Sequence, residues 1–187
     1  MVKVMHKHLD EELCKKYPRI FRDRHAPMTR TAMCWGFDCG DGWYNIIDVL
    51  CEAIDSHVRH QREQRCAALL MNRALSRAIR GDRSTLNRLP RYQQNCVLSN
   101  LEDPEPQCFP VPRKMNVVAT QVKEKYGTLR FYVYGADEYI DGVIRMAEGM
   151  SARTCETCGS PGKVRGYGSE WIRTLCDVHA EEQGYHE

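Results

Sequence analysis

The sequence lacks the segments and motifs that would assign it to a membrane, to secretion or to the common enzyme classes. No apolar stretch in the 187 residues approaches the length of a membrane span, and the opening MVKVMHKHLDEEL contains no apolar run of signal-peptide length. The Walker A, HExxH and GxSxG patterns are missing. We therefore expect a chain that stays in the compartment where it is made, and we lean against an enzyme.

The ten cysteines have a different meaning in different compartments. In a secreted chain an even number indicates a disulfide framework, whereas in a reducing cytosol cysteines are buried thiols or metal ligands. Three of them are clustered near the end of the chain, which is typical of a metal site. The other seven are scattered, which is typical of packing: Cys14, Cys34, Cys39, Cys51, Cys66, Cys96 and Cys108.

The clustered cysteines lie in CETCGSPGKVRGYGSEWIRTLCDVHA, which has the spacing C-x2-C-x17-C-x2-H. Two closely spaced ligand pairs on either side of a short hairpin provide the tetrahedral set that zinc prefers. The sequence therefore predicts one structural zinc per chain and a hairpin formed by residues 164–167 and 171–175. His186 is an alternative fourth ligand. The predicted ligands are Cys155, Cys158, Cys176 and His179.

Apolar residues recur at helical spacing in the N-terminal part of the chain. Residues 9–17 predict a short helix that ends at Pro18, and Asp41 is a candidate N-cap for a helix that begins near Trp43. Two apolar stripes follow, and the second is rotated away from the first. We therefore expect two helices, or one helix with a sharp break near residues 60–66. The stripes are Trp43, Ile46, Ile47, Leu50, Ile54 and Val58, then Leu70, Ala74, Leu75, Ala78 and Ile79.

Alternating side chains predict a β-hairpin later in the chain. In one strand Val118, Thr120 and Val122 alternate with polar or small residues, and Tyr126-Gly127 supplies the turn to a second strand that ends near residue 134. A helix from about residue 137 to 153 is the natural cover for the apolar face of this hairpin. Its predicted apolar side consists of Ile140, Val143, Ile144, Ala147 and Met150.

The predicted fold is α+β, with a helical N-terminal part, a hairpin covered by a helix and a small treble-clef-like zinc finger. We expect two domains, residues 1–152 and residues 153–187. Five of the eight prolines lie between residues 82 and 112, and we expect a long surface loop there.

The central region is strongly basic. Residues 57–91 contain nine arginines and only two acidic residues. Arginine favours forked contacts to phosphate or carboxylate, although a solvated helix face explains the same pattern. Lysine and arginine in the finger add positive charge. The candidate residues for binding nucleic acid or another partner are Arg59, Arg62, Arg73, Arg77, Arg80, Arg165 and Arg173.

Two further pairs of residues are candidates for metal binding. One alternative is that Cys34 and Cys39 form a second metal site, although their glycine and aromatic neighbours indicate tight packing instead. Asp38 and Asp41 would bind a divalent cation, although a turn and an N-cap explain them equally well.

Three segments carry a resemblance to known families. CWGFDCGDGWYNII at 34–47, VKEKYGTLRFY at 122–132 and the finger with its WIRTLCDVHA ending resemble a set of uncharacterised proteins of tailed phages and prophages. This resemblance implies a phage origin. The finger alone, residues 153–182, is similar in spacing to that of the DksA/TraR family, whose members bind RNA polymerase. Here the last ligand is His rather than Cys, and no long coiled coil precedes it.

These observations predict a phage-encoded, non-enzymatic zinc protein in the cytoplasm of the bacterial host. Its expected partner is nucleic acid or a host protein such as RNA polymerase or a defence complex, and no membrane is involved. Two alternatives stay open. One is a metal-dependent nuclease or hydrolase that uses Asp38, Asp41 and a histidine, and the other is a structural component of the virion.

Overall fold

Helices and strands are mixed along the chain in the computed structural model, which describes residues 4–166 and 171–185. The α+β class expected from the sequence is confirmed. The helices are α1 (Lys7–Lys16), α2 (Tyr44–Ile79), α3 (Arg91–Leu101), α4 (Glu138–Ser151) and α5 (Asp177–Glu182). The strands are β1 (Phe37–Asp38), β2 (Val118–Lys125), β3 (Thr128–Tyr134), β4 (Lys163–Arg165) and β5 (Arg173–Leu175).

The chain divides into two compact units. One unit contains Met1–Ser56 together with Asn116–Glu187, and the other contains His57–Met115. Helix α2 begins in the first unit and ends in the second. The finger therefore groups with the N-terminal segment and the hairpin, while independent folding of residues 1–152 and 153–187 stays a prediction.

A three-stranded sheet forms the centre of the first unit, in the order β1-β2-β3. Strand β1 pairs parallel with β2, and β2 pairs antiparallel with β3, so that Phe37, Val122 and Phe131 lie side by side. All three side chains are buried. The ring of Phe21 packs edge-on against both phenylalanines, with centroid distances of 5.0 Å to Phe37 and 6.3 Å to Phe131.

The predicted hairpin is confirmed. Its turn has positive φ at both Tyr126 (54°) and Gly127 (76°), as a two-residue type I′ turn requires. The expected strict alternation is wrong at one end of β2, because the pairing register shifts between Ala119 and Gln121. This irregularity allows Val118 and Ala119 to be buried together.

The predicted helical cover of the hairpin is also confirmed, since α4 packs against β3. Asp137 caps the helix by accepting a hydrogen bond from the backbone N–H of Ile140 at 3.1 Å. At its other end, Ser151 accepts a hydrogen bond from the backbone N–H of Leu129 at 2.8 Å. Met150, expected on the buried face, is half exposed. The buried face consists of Ile140, Ile144, Ala147 and Ser151.

Helix α2 is continuous over 36 residues, and the predicted break near residues 60–66 is wrong. Its sequence contains neither proline nor glycine, so nothing ends the helix there. The apolar stripe rotates because the early turns contribute Ile47 and Ile54 to the core of the first unit, whereas Ala74 and Leu75 belong to a cluster in the second. Leu70 and Ile79 were expected in that second stripe, but both are exposed.

The second unit contains an element that the sequence pattern did not predict. Helix α3 occupies the middle of the predicted loop between residues 82 and 112, so a loop over that whole range is wrong, whereas the segment between Leu101 and Val118 contains no helix or strand. The rest of this segment is held locally, because the side-chain amide of Asn72 bonds both backbone groups of Phe109, at 2.9 and 2.7 Å. The apolar cluster of the unit consists of Ala74, Leu75, Leu86, Leu89 and Val97.

The predicted short N-terminal helix is confirmed as α1, which ends two residues before Pro18. Within the described ranges, no helix combines the length and the apolar character that crossing a membrane requires.

Candidate metal centre

The first two cysteines of the candidate centre lie on a tight turn that follows α4. Gly159, with φ of 76°, donates its N–H to the carbonyl oxygen of Cys155 at 2.9 Å, and the N–H of Cys155 donates to Ser160 at 2.7 Å. This backbone conformation is open to glycine and strained for other residues. The segment Cys155–Ser160 therefore forms a knuckle that brings Cys155 and Cys158 towards the same point.

The other two candidate ligands lie at the start of α5. A hairpin of β4 and β5 leads the chain back to the knuckle, and Cys176 is the N-cap residue of α5 with His179 in its first turn. Residues three apart at a helix start lie on the same side. The predicted hairpin is confirmed for its strands, whereas Tyr167 of the expected range lies outside the described residues. The order of knuckle, hairpin and helix is treble-clef-like.

The four side chains form a compact Cys3His group that could hold a metal ion. Their ligand atoms all lie within 4.8 Å of one another. The Sγ of Cys158 and the Sγ of Cys176 are 3.8 Å apart, and Nδ1 of His179 is 3.6 Å from the Sγ of Cys155. Four protein ligands would complete a tetrahedron and leave no open position for water or substrate. The arrangement therefore suits a structural metal rather than a catalytic one.

Burial and local hydrogen bonds shift the pKa values of two candidate ligands, Cys158 and Cys176, in opposite directions. Burial raises the pKa of Cys158, but hydrogen bonds with Ser160, Cys155 and Cys176 outweigh it and lower the pKa to about 6. The pKa of Cys176 is raised. A hydrogen bond from the backbone N–H of His179 lowers this pKa, but burial and hydrogen bonds with Cys155 and Cys158 together raise it by more. Thiolate is the form that binds a metal, so Cys158 is a more readily available sulfur ligand than Cys176.

Glu156 connects the knuckle to two other parts of the unit. Its side chain is buried, accepts a hydrogen bond from the backbone N–H of Gly40 at 3.0 Å, and forms an ion pair with Arg173 at 2.7 Å. Its backbone carbonyl accepts a hydrogen bond from Gly42, and its N–H donates to Thr174 on β5, both at 2.9 Å. Glu156 lies between the candidate ligands Cys155 and Cys158, and it thus connects the knuckle both to the N-terminal loop and to the hairpin of the finger.

The loop Gly40-Asp41-Gly42 packs directly on the knuckle. A side chain at Gly42 would overlap the carbonyl oxygen of Cys155 and lie 2.8 Å from the backbone nitrogen of Cys158. Trp43, which follows, is fully buried and donates its indole N–H to the carbonyl oxygen of Thr154 at 2.9 Å. The glycines are therefore needed for close approach of two backbones.

The turn of the β2–β3 hairpin contacts the finger on another side. Thr174 on β5 donates its hydroxyl to the carbonyl oxygen of Gly127 at 2.5 Å. A side chain at Gly127 would lie 3.0 Å from Ile172. Two segments singled out in the sequence, residues 34–47 and residues 122–132, therefore both contact the finger that carries the Cys3His group.

The other metal candidates are not brought together. In the portion of the chain with described coordinates, no cluster of three or more metal-binding side chains includes Cys34, Cys39 or Asp38. Cys39 is fully buried, and burial raises its pKa well above the ordinary value. The carboxylate of Asp41 accepts hydrogen bonds from the backbone and ring of His6. The N-cap residue of the following turn is Gly40, so the predicted cap at Asp41 is wrong.

The predicted binding arginines separate into two groups. Arg173 is held by Glu156 and donates to Gln183 at 2.6 Å, and Arg165 is buried and paired with Asp177. These two residues stabilise the finger from within. The arginines of α2 and the residue just beyond it are mostly exposed, with Arg77 paired to Asp82 at 3.6 Å. That group consists of Arg59, Arg62, Arg73, Arg77 and Arg80.

Sequence reasoning missed the residues that support the centre. Glu156 and the glycines of 40–42 carry no local ligand pattern, and the hydrogen bonds that join Glu156 to Gly40 and Gly42 span more than a hundred residues of the chain. Glu182 is a further example, with a carboxylate oxygen 3.8 Å from Nε2 of His179. Acidic partners of this kind orient a histidine ligand. The proposed alternative ligand His186 lies outside the described residues.

Comparison of the chain with protein-family models, with curated proteins and with solved structures finds no match.

Proposed function

We propose that this chain is a zinc-stabilised, non-enzymatic accessory protein that binds the phosphate backbone of nucleic acid through arginines of α2. The zinc ion holds the first unit together, and the basic helix in the second unit provides the binding surface. The resemblance to phage proteins favours the cytoplasm of a bacterial host as the place of action.

Zinc is the metal that fits the donor set best. With Zn–S of about 2.3 Å and Zn–N of about 2.0–2.1 Å, a tetrahedron has S–S edges of about 3.8 Å and S–N edges of about 3.6 Å. The distances between Cys158 and Cys176, 3.8 Å, and between Cys155 and His179, 3.6 Å, agree with these edges. The Cys176 to His179 distance, 3.1 Å, is shorter. When bound, zinc would supply structural stability rather than Lewis-acid chemistry, because all four positions are protein ligands.

The arrangement of the arginines on α2 carries the functional proposal. Because a helix turns by about 100° per residue, Arg59, Arg62, Arg73 and Arg77 fall within an arc of about 60°. They extend over about 27 Å of helix at about 1.5 Å per residue. We call these four residues the arginine face of α2. A continuous helix presents them as one row, which a break near residues 60–66 would have divided.

Nucleic acid is the partner that this face fits best. Guanidinium groups make forked contacts with phosphates, and a row of positive charges matches the regular charge of a nucleic-acid backbone. The exposed Leu69 and Leu70 lie beside the arginine face and favour a second candidate, an acidic host protein such as RNA polymerase or a defence complex.

The test measures binding of the full zinc-loaded chain to a DNA duplex over a range of salt concentrations. We expect the double variant Arg62→Gln/Arg73→Gln to bind more weakly and to reduce the salt slope by about 0.9 for each phosphate that the variant no longer neutralises. The matched control is Arg145→Gln, an exposed arginine on α4 in the other unit. A slope that the double variant leaves unchanged contradicts the proposal.

A pull-down from bacterial lysate, with and without nuclease, separates the two candidate partners. Loss of all captured material after nuclease treatment supports nucleic acid, whereas a defined protein that survives nuclease supports the second candidate. Magnesium-dependent cleavage of DNA that is lost in Asp41→Ala would support the nuclease alternative instead. Detection of the chain in purified virus particles would support a structural role.

A further inference from the structure

The solvent side of the β2–β3 hairpin carries a second set of chemically related side chains, in the unit that holds the metal centre. Side chains alternate along β3, so that Phe131 is buried whereas Tyr132 and Tyr134 are exposed, by 42% and 70%. Tyr126, at the turn, is 68% exposed. Two tyrosine rings therefore project from the same side of β3, and a third lies in the turn that precedes this strand.

Positive charges lie among these rings. Lys123 is paired with Arg130 across the two strands, and paired residues share a face of the sheet. The ammonium group of Lys123 lies 5.8 Å from the centre of the Tyr132 ring, and that of Lys125 lies 5.3 Å from the Tyr126 ring. The hairpin thus combines aromatic and cationic groups within a few ångströms of each other.

Acidic groups reduce this charge without cancelling it. Asp38 on β1 is paired with Lys123, and a carboxylate oxygen of Glu148 lies 3.7 Å from Arg130. Lys125, at the end of β2, is exposed. We call Lys123, Lys125, Tyr132 and Tyr134 the tyrosine–lysine face.

We propose that the tyrosine–lysine face binds single-stranded nucleic acid, with unpaired bases stacked on Tyr132 and Tyr134 and phosphates bound by Lys123 and Lys125. Base–aromatic stacking tolerates any sequence, because every base has a π-face, and it commonly occurs on sheet surfaces. This surface goes beyond the arginine face of α2 and does not depend on it, since the residues, the unit and the chemistry are different.

The spacing of the tyrosines favours a single strand over a duplex. Residues two apart on an antiparallel strand are about 6.8 Å apart, at about 3.4 Å per residue. Neighbouring bases in a duplex are stacked at about 3.4 Å along each strand. Bases that occupy both rings must therefore separate from each other, which an unpaired strand allows and a duplex resists.

The test measures binding of a fluorescent oligothymidine to the full zinc-loaded chain by anisotropy. We expect Tyr132→Ala and Tyr134→Ala each to weaken binding by about tenfold, within the range measured for loss of one stacked base. Tyr132→Phe and Tyr134→Phe should bind as the wild type does, because the ring is kept. The matched control is Tyr92→Ala, since Tyr92 is 79% exposed on α3 in the other unit and should not contribute.

A charge variant keeps the proposal testable if a tyrosine substitution disturbs folding. Lys123→Gln/Lys125→Gln should reduce the salt slope for oligothymidine by about 0.7 for each phosphate that the variant no longer neutralises. Tyr132→Ala should weaken the binding of oligothymidine but leave the binding of a DNA duplex unchanged, whereas Arg62→Gln/Arg73→Gln should weaken the binding of the duplex, so that failure of the arginine face and failure of this surface are distinguishable.

Three results would overturn the proposal. They are no binding of oligothymidine by the wild type, equal binding by the alanine and phenylalanine variants, and displacement by a DNA duplex as efficient as by unlabelled oligothymidine. If the wild type does not bind oligothymidine, capture of an acidic protein through Tyr132 and Tyr134 would assign the face to a protein partner.

Discussion

Gly42 is the residue at which the N-terminal loop comes closest to the knuckle. An alanine there would place a methyl group 2.5 Å from the nitrogen of Gly159, with the other close atoms also on backbone. Backbone cannot rotate away as a flexible side chain can. We expect Gly42→Ala to lower the free energy of unfolding by about 1–3 kcal/mol, as overpacking does, and to weaken metal binding.

Denaturant unfolding and competition with a chromophoric chelator measure these two effects. Gly142→Ala is the matched control, because Gly142 lies in the interior of α4 with open space around it. It should raise stability by about 0.5–1 kcal/mol, since glycine is a poor helix former. If Gly42→Ala matches the wild type in both measurements, the close approach has no energetic importance.

Glu156 provides a second prediction at the scale of single residues. Its carboxylate is 1% exposed and is paired with Arg173, whose side chain is 11% exposed. Removing one charge of a buried pair leaves the other uncompensated, which costs about 3–5 kcal/mol. Glu156→Gln keeps an acceptor for Gly40 but loses the charge, and we expect a loss of stability in that range by denaturant unfolding.

The control for this variant is Glu181→Gln, an exposed carboxylate on α5. The double variant Glu156→Gln/Arg173→Gln should lose less stability than the sum of the two single variants, because the two side chains interact directly. Additive effects would show that the pair has no net coupling.

Among the elements, α2 presents two cysteines in opposite environments. Cys51 is fully buried, and burial, followed by the nearby Asp48, raises its thiol pKa well above the ordinary value. Cys66, further along the same helix, is exposed. A raised pKa decreases the fraction of reactive thiolate at every pH below it. We expect iodoacetamide to modify Cys66 in the folded protein much faster than Cys51.

Peptide mapping by mass spectrometry after brief labelling measures the two rates. In denaturant both cysteines should react at similar rates, which controls for local sequence. Equal labelling of both residues in the folded chain would mean that the early turns of α2 are not packed as described.

The features that can be predicted from the sequence are those whose residues lie close together in the chain. The ligand pairs and the Tyr126-Gly127 turn depend on residues at most three positions apart, and the sequence predicts both. Helix α3 was missed because only Val97 is buried along it and prolines flank it, so its periodicity is weak. The expected break in α2 arose from two apolar stripes that serve different units. Partners such as Gly40 and Glu156, 116 residues apart, have no local signal.

For the molecule as a whole, the Cys3His group links three distant segments of the first unit. The loop at 40–43 contacts the knuckle, the hairpin turn contacts β5, and Glu156 joins the loop to Arg173 on β5. Binding of a structural metal is coupled to folding, so removal of the metal should disturb all three segments. The finger is therefore a part of the core of this unit.

Trp43 reports directly on this coupling. It is fully buried and bonded to Thr154 beside the first ligand, whereas Trp35 and Trp171 are exposed by 62% and 65%. In the variant Trp35→Phe/Trp171→Phe the remaining tryptophan fluorescence comes from Trp43 alone. Loss of its apolar surroundings would shift its emission to longer wavelength.

The most direct measurement follows zinc release and Trp43 emission together, in this variant, during titration with a strong chelator. We predict about one zinc per chain, released in a single transition that coincides with a shift of Trp43 emission to longer wavelength. Complete release of zinc with unchanged Trp43 emission, or a folded chain that binds no zinc, would contradict the central claim that the metal holds this unit together.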